Sequence, residues 1–196
     1  MAETAVGLVG WERALMAAEK VKERLRRATR ALDEAGVPYA IAGGNAVAEW
    51  VGRIDEDAVR NTRDIDLLVR RADFPSVRAV LEAAGFVHHH LLDIDTFIDG
   101  PQGKPSGGIH ILFAGERVRR EDEYTLPDVD ESERAIEFQV AALEALVRMK
   151  LTAWRDKDRT HLRDMIGVGL LDAAWTARLP PPLASRLQQL LDNPNG

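Results

Sequence analysis

Two stretches decide the fold, Tyr39-Ala40-Ile41-Ala42-Gly43-Gly44-Asn45 and Thr62-Arg63-Asp64-Ile65-Asp66-Leu67-Leu68-Val69. The first reads as a short buried strand that breaks at Gly43-Gly44 and opens into a helix from Asn45 to about Val51, with Asn45 a competent N-cap. A glycine pair between strand and helix makes a tight turn, and it also lets backbone N–H groups approach phosphate oxygens at the helix N-terminus. In the second stretch Asp64 to Val69 reads as a strand that ends in an apolar run. Asp64 and Asp66 stand two apart, so both carboxylates project from one face. Two adjacent negative charges repel, and a hard divalent ion bridging the phosphates of a nucleoside triphosphate would relieve them. Solvation alone is the other reading of Asp-x-Asp at a strand start.

Upstream, Leu15, Ala18, Val21, Leu25, Ala28 and Leu32 recur every three or four positions, so Trp11 to about Ala35 is expected as an amphipathic helix. Its outer face carries Lys20, Lys22, Arg24, Arg26, Arg27 and Arg30 interleaved with Glu19 and Glu23, a surface suited to solvent or to RNA. Gly36 stops this helix and Pro38 prevents its resumption. Downstream, Asp73 is placed to cap a helix from Phe74 to Ala84, ended by Gly85. Strands are expected around Val87 to Leu92, Ile94 to Ile98 and Ile109 to Phe113, with a mobile Gly/Pro-rich loop, Gly100 to Gly108, before the last. Glu116 to Glu133 reads as a charged surface connection. Helices should follow over Val140 to about Trp154, Asp158 to about Ile166, a short Asp172 to Ala177 piece, and Pro182 to Leu191.

Composition limits the chemistry. The 196 residues are 45% hydrophobic and 30% charged, enough for one substantial core without an internal repeat or linker. Apolar runs are too short to span a bilayer and no signal peptide is visible at the N-terminus, so a cytoplasmic protein without membrane partners is expected. With no cysteine, side-chain metal ligands reduce to Asp, Glu and His, which favours Mg²⁺ or Mn²⁺. The formal charge of −6 argues against a surface devoted to coating nucleic acid, while leaving nucleic acid open as a substrate.

Taken together, a strand ending in Gly-Gly, a helix, and then Thr62-Arg63-Asp64-Ile65-Asp66-Leu67-Leu68 resembles the signature of the nucleotidyltransferase superfamily, specifically the minimal bacterial group that includes AbiEii/AbiGii-type toxins. The resemblance continues through Leu143-Glu144-Ala145-Leu146-Val147-Arg148-Met149-Lys150-Leu151, Arg155-Asp156-Lys157-Asp158 and Leu162-Arg163-Asp164, and covers about Tyr39 to Asp172. It implies an α+β fold, a mixed β-sheet flanked by helices with a C-terminal helical portion. One nucleotidyltransferase-like domain would extend over 1–196, its sheet core at about 36–115 and its helical portion at about 134–196. The implied chemistry is transfer of a nucleoside monophosphate from an NTP to an acceptor hydroxyl, with tRNA the acceptor in the toxin members and a protein partner in a toxin–antitoxin setting. Asp64 and Asp66 would hold Mg²⁺ or Mn²⁺, Gly43, Gly44 and Asn45 the triphosphate, and Lys150 a phosphate. Lys150 also reads as a solvated helix residue, and Arg155, Lys157, Asp158 and Asp164 as a surface ion-pair network.

One position departs from the family pattern. Members place a third carboxylate on the following strand, and in Ile109-His110-Ile111-Leu112-Phe113 His110 occupies that place. A histidine there can act as general base near neutral pH, ligate a softer ion, or merely hydrogen-bond in a catalytically degenerate site. Asp93, Asp95 and Glu116 are the candidates to supply the missing carboxylate. In His88-His89-His90, strand alternation puts His88 and His90 on one face, too few ligands for a structural zinc site. Trp11, Trp50, Trp154 and Trp175 read as core or helix-packing anchors.

Overall fold

In the computed structural model, which describes residues 2–91, 93–104 and 107–193, the chain opens with helix α1 (Ala2–Glu34). Val21, Leu25, Ala28 and Leu32 lie at helical spacing and are buried. Gly36 ends α1 in the left-handed region at φ +64, and Val37 N–H returns to the Leu32 carbonyl at 3.0 Å. Trp11, expected as a packing anchor, is instead 69% exposed, because the part of α1 around it lies exposed and the helix is covered only from Val21 on.

Strand β1 (Ala40–Ala42) runs directly into α2 (Gly43–Gly52), and β2 (Ile65–Val69) returns antiparallel beside β1. Helix α3 (Phe74–Ala83) leads to the hairpin β3 (Phe86–Leu91) and β4 (Ile94–Asp99), then to β5 (Ile109–Phe113). Asp73 precedes α3 but makes no side-chain capping bond, and proline in the first turn opens the helix. Leu92, the expected end of β3, and residues 105 and 106 of the 100–108 loop lie outside the described residues.

Two further strands enter the sheet where helix or loop was expected. β6 (Ser132–Arg134) pairs antiparallel with β7 (Gln139–Ala141), and β7 lies parallel to β1 with Val140 opposite Ile41. The helix expected from Val140 therefore starts later, as α4 (Leu143–Ala153). Nor is the 116–133 segment wholly superficial, since Val129 is buried and the two-way bonding of Leu126 to Gly115 and Glu116 holds it against the sheet. α5 (Asp156–Gly167), a 3₁₀ turn over Ala173–Arg178 and α6 (Pro181–Asp192) complete the chain.

The result is a seven-stranded mixed sheet in the order β3-β4-β5-β2-β1-β7-β6. Alternation divides it into two faces. Ile41, Ile65, Leu67, Val69, Phe97, Ile109 and Ile111 enter the large core shared with the helices. The alternate residues Ala40 and Leu68 join Val129 in a small second cluster, with Leu112 and Leu126 against it. Asp66 and His110 share this second face by alternation with Leu68 and Leu112, and so lie on the side that the main helical core leaves free.

Candidate active site

Register brings the polar residues of the second face into one row. Ala42 lies opposite Asp66, Asp66 opposite His110, and His110 opposite Thr96, across β1, β2, β5 and β4. Asp64 projects on the same side one step before Asp66. His110 Nδ1 lies 3.9 Å from Asp64 Oδ2 and 3.8 Å from Asp66 Oδ1. These three side chains, each partly exposed, are the one group of three or more potential metal ligands among the described residues whose atoms all lie within 4.8 Å of one another.

Each carboxylate is held so that one oxygen remains directed at this point. Thr62 Oγ1 donates to Asp64 Oδ1 at 2.8 Å, which leaves Oδ2 toward His110. Burial pushes the Asp64 carboxyl up, but the Thr62 hydrogen bond, a backbone N–H, and the Lys157 and His110 charges outweigh it and hold its pKa below the ordinary value. Asp66 Oδ2 rests against Gly43, where an added Cβ would stand 1.7 Å from it. Gly43 adopts φ +63, a region that favours glycine, so close approach and backbone both require it there. At Gly44 a Cβ would come within 2.9 Å of Thr62 Cβ and Oγ1. The glycine pair thus seats Asp66 directly and Asp64 through Thr62.

Asn45 has a different role from the expected cap. Helix α2 already begins at Gly43 with no side-chain cap at Ala42, and Asn45 Nδ2 donates to the Asp64 carbonyl at 2.8 Å. This bond ties the helix start to the strand that carries the acid pair.

The C-terminal helices bring a second charged group alongside. Asp158, expected in a surface network, is fully buried, and Lys150, which also reads as a solvated helix residue, is only 5% exposed, while Arg155 and Lys157 stay exposed. Lys150 Nζ donates to Asp158 Oδ1 at 3.1 Å, and Arg155 Nε to Asp158 Oδ2 at 2.6 Å. Burial pushes the Asp158 carboxyl up, but Arg155 and Lys150 outweigh it and hold it low. Burial pushes the Lys150 ammonium down against the opposing charge of Asp158, and Asp66 also acts on it. The anchoring is physical: α2 packs on both α4 and α5. Asp164, placed in the same network by sequence, instead takes Arg60 Nε at 2.7 Å from the loop before β2.

Lys157 joins the candidate site, which the sequence does not anticipate. Its ammonium lies 4.0 Å from Asp64 Oδ2, whereas its spacing in sequence reads as that of one of the bracing charges of α5. No local spacing distinguishes it from its neighbours; only the packing of α5 against α2 brings it across. The three carboxylates considered as replacements for the missing one do not join the group. Asp95 Oδ1 takes His88 Nε2 at 2.8 Å and His90 Nδ1 at 3.0 Å, a pairing that the alternation of the His run anticipates, and by that alternation it points to the other face. Glu116 pairs with Arg71, and Asp93 lies exposed at the β3–β4 turn with φ 62. A hollow of about 1300 Å³ along α1 and α3 is lined by Leu15, Met16, Ala31 and Val80, among others, and contains none of the site residues.

The model of a family described as uncharacterised nucleotidyltransferase matches residues 11–161. The chain belongs to that nucleotidyltransferase family. Solved structures agree on the fold at low identity. A solution structure of the antibiotic-resistance factor ANT(2'')-Ia is 19% identical, with 89% of this chain and 90% of that chain covered at a TM-score of 0.54. The crystal structure of ANT(2'')-Ia in complex with adenylyl-2''-tobramycin gives 17%, 87%, 98% and 0.54 for the same quantities. An antigenic nucleotidyltransferase-like protein from Paracoccidioides brasiliensis is 18% identical, with 89% of this chain and 88% of that chain covered at 0.56. No curated protein sequence matches the chain. The nucleotidyltransferase fold, a mixed sheet flanked by helices, is thereby that of this chain. Among the described residues no helix is long and apolar enough to cross a membrane.

Proposed function

We propose that this nucleotidyltransferase transfers a nucleoside monophosphate from an NTP to a hydroxyl of RNA or of a small molecule, using a divalent ion held by Asp64 and Asp66. The observation that carries this reading is the convergence of Asp64, Asp66 and His110 on one point beside the Gly43-Gly44 turn at the start of α2. The donor set of two carboxylates and an imidazole fits a divalent ion, which when bound would neutralise the triphosphate and polarise the bond to be broken. The backbone N–H groups of Gly43, Gly44 and Asn45 at the helix start are suited to the triphosphate oxygens. Lys157 supplies positive charge beside Asp64 on the side of α5, and Lys150 acts through its pair with Asp158, which secures α4 to α5 next to the site. The acceptor oxygen bonds to the α-phosphorus, the bond from that phosphorus to the bridging oxygen breaks, and pyrophosphate leaves. The hydroxyl proton passes to solvent or to a site base.

The reading extends to a cytoplasmic protein folded as one nucleotidyltransferase-like domain and grouped with AbiEii/AbiGii-type toxins, with tRNA as acceptor and a protein partner in a toxin–antitoxin pair. The aminoglycoside in the ANT(2'')-Ia complex supports the small-molecule alternative for the acceptor. A second reading rests on His110 in the third carboxylate's place: a degenerate module that binds nucleotide or a partner without turnover. Incubation with each radiolabelled NTP, Mg²⁺ or Mn²⁺, and either total RNA or an aminoglycoside panel separates the two. Transferase activity appears as label on an acceptor. Nucleotide binding without label under any metal would establish the second reading instead.

A further inference from the structure

His110 does more than occupy the place of a carboxylate. From the geometry we infer that its imidazole ligates the ion directly, that the site therefore selects a transition-metal ion such as Mn²⁺, Co²⁺ or Zn²⁺ over Mg²⁺, and that it takes one ion per chain. The inference rests on the metal-dependent reading above.

Three observations point the same way. First, the free oxygens of both carboxylates and Nδ1 of His110 face one another, at 3.8 and 3.9 Å from the imidazole nitrogen. Bonds of about 2.1 Å place neighbouring ligand atoms about 3.0 to 3.4 Å apart, so binding asks the imidazole nitrogen and the two carboxylate oxygens to approach one another by about 0.4 to 0.9 Å. All three side chains are partly exposed.

Second, both carboxylates are seated from behind. Thr62 donates to Asp64 Oδ1, and Asp66 Oδ2 lies close against Gly43. Such contacts orient ligands toward a metal, and the Thr62 bond disfavours bidentate capture by Asp64. One oxygen from each carboxylate and one nitrogen would hold the ion, with water and phosphate oxygens as its further ligands.

Third, the donor chemistry and charge discriminate among ions. Mg²⁺ strongly prefers oxygen and dehydrates reluctantly, whereas imidazole suits the first-row transition metals. Two carboxylates with a neutral imidazole carry two negative charges, matched by one divalent ion. The Lys157 ammonium, 4.0 Å from Asp64 Oδ2, adds positive charge against a second.

The test titrates the nucleotide-free chain with Mn²⁺ by electron paramagnetic resonance, follows displacement by Mg²⁺, and records electron spin echo modulation from ¹⁴N. The expected result is one bound Mn²⁺ per chain with imidazole nitrogen modulation, displaced by Mg²⁺ only at an excess of roughly 10²-fold or more. His110→Asp should abolish the nitrogen signal and narrow the Mn²⁺ preference over Mg²⁺ by roughly 10-fold or more, while Asp64→Asn with Asp66→Asn should lose the ion. Bound Mn²⁺ without nitrogen modulation, equal competition by Mg²⁺, two ions per chain, or no binding at all would each overturn the inference. Its failure is separable from that of the transferase reading. Nitrogen-coupled Mn²⁺ in a chain that never labels an acceptor leaves this inference standing, and label transfer in Mg²⁺ without nitrogen ligation leaves only the transferase.

Discussion

Two charged groups on neighbouring elements behave as opposites. Around the fully buried Asp158 the cations make direct contact, with Lys150 at 3.1 Å and Arg155 at 2.6 Å. Around Asp64 and Asp66 the nitrogens stand back, His110 at 3.8 and 3.9 Å and Lys157 at 4.0 Å. The first group satisfies its own charge and secures α4 to α5. The second leaves two oxygens uncommitted in a partly solvated row, the condition under which an ion can enter without first breaking a buried pair. Closeness of contact, more than residue type, separates bracing charge from charge available to a ligand.

The contrast breaks most visibly on removal of one partner. Asp158→Ala strands Lys150 without its buried counter-charge and should lose about 3 to 5 kcal/mol in urea unfolding. Asp64→Ala, at a partly exposed site with a like charge beside it, should lose at most about 1 kcal/mol. Equal losses would erase the distinction between the two groups.

A smaller effect comes from Gly43→Ala, where the left-handed backbone alone costs about 1 to 2 kcal/mol. The new Cβ would also displace Asp66, so ion binding should fall further than stability. Unchanged Mn²⁺ affinity in a folded Gly43→Ala chain would remove the glycine from the site.

Acid should probe the interior group through His161, one turn along α5 from Lys157. Burial, together with the Lys150 charge and against Asp158 and Asp164, pushes its pKa down to about 4. A folded-state pKa below the unfolded value means that the unfolded chain binds more protons. Its contribution is therefore complete above about 6.5 and fades as pH falls from there to about 4. The melting temperature should drop across that window, and His161→Phe should flatten the drop. Below it, the depressed Asp158 carboxyl takes over the loss. A slope that persists in His161→Phe would assign the window to other groups. Smallest is Glu116→Ala, which breaks an exposed pair with Arg71 and should change stability by no more than about 1 kcal/mol. Nucleotide affinity in that variant should match the wild type, and a loss would return Glu116 to the site.

Much of the candidate site's geometry was legible because Asp-x-Asp on a strand fixes a shared face, while the parallel pairing that sets His110 beside Asp66 came with the fold. The family signature located the turn, strand and His110 within the fold. What escaped depended on tertiary packing. Over Val140 to Leu146 the apolar residues permit strand or helix equally, and it is pairing with β1 and β6 that makes Gln139–Ala141 a strand. Arg155 and Asp158 have the spacing of any exposed helical pair, so sequence could not reveal that Asp158 is enclosed. Asn45 has an N-cap's chemistry, yet the helix had already begun two residues earlier.

The most direct test of the account is equilibrium binding of a nonhydrolysable NTP analogue by calorimetry, with and without Mn²⁺, to the wild type and to Asp64→Asn with Asp66→Asn. The account predicts that Mn²⁺ tightens binding to the wild type by roughly 10-fold or more and leaves the folded double variant unaffected. Metal-enhanced binding that survives in the double variant would place the nucleotide site elsewhere on the molecule and contradict it.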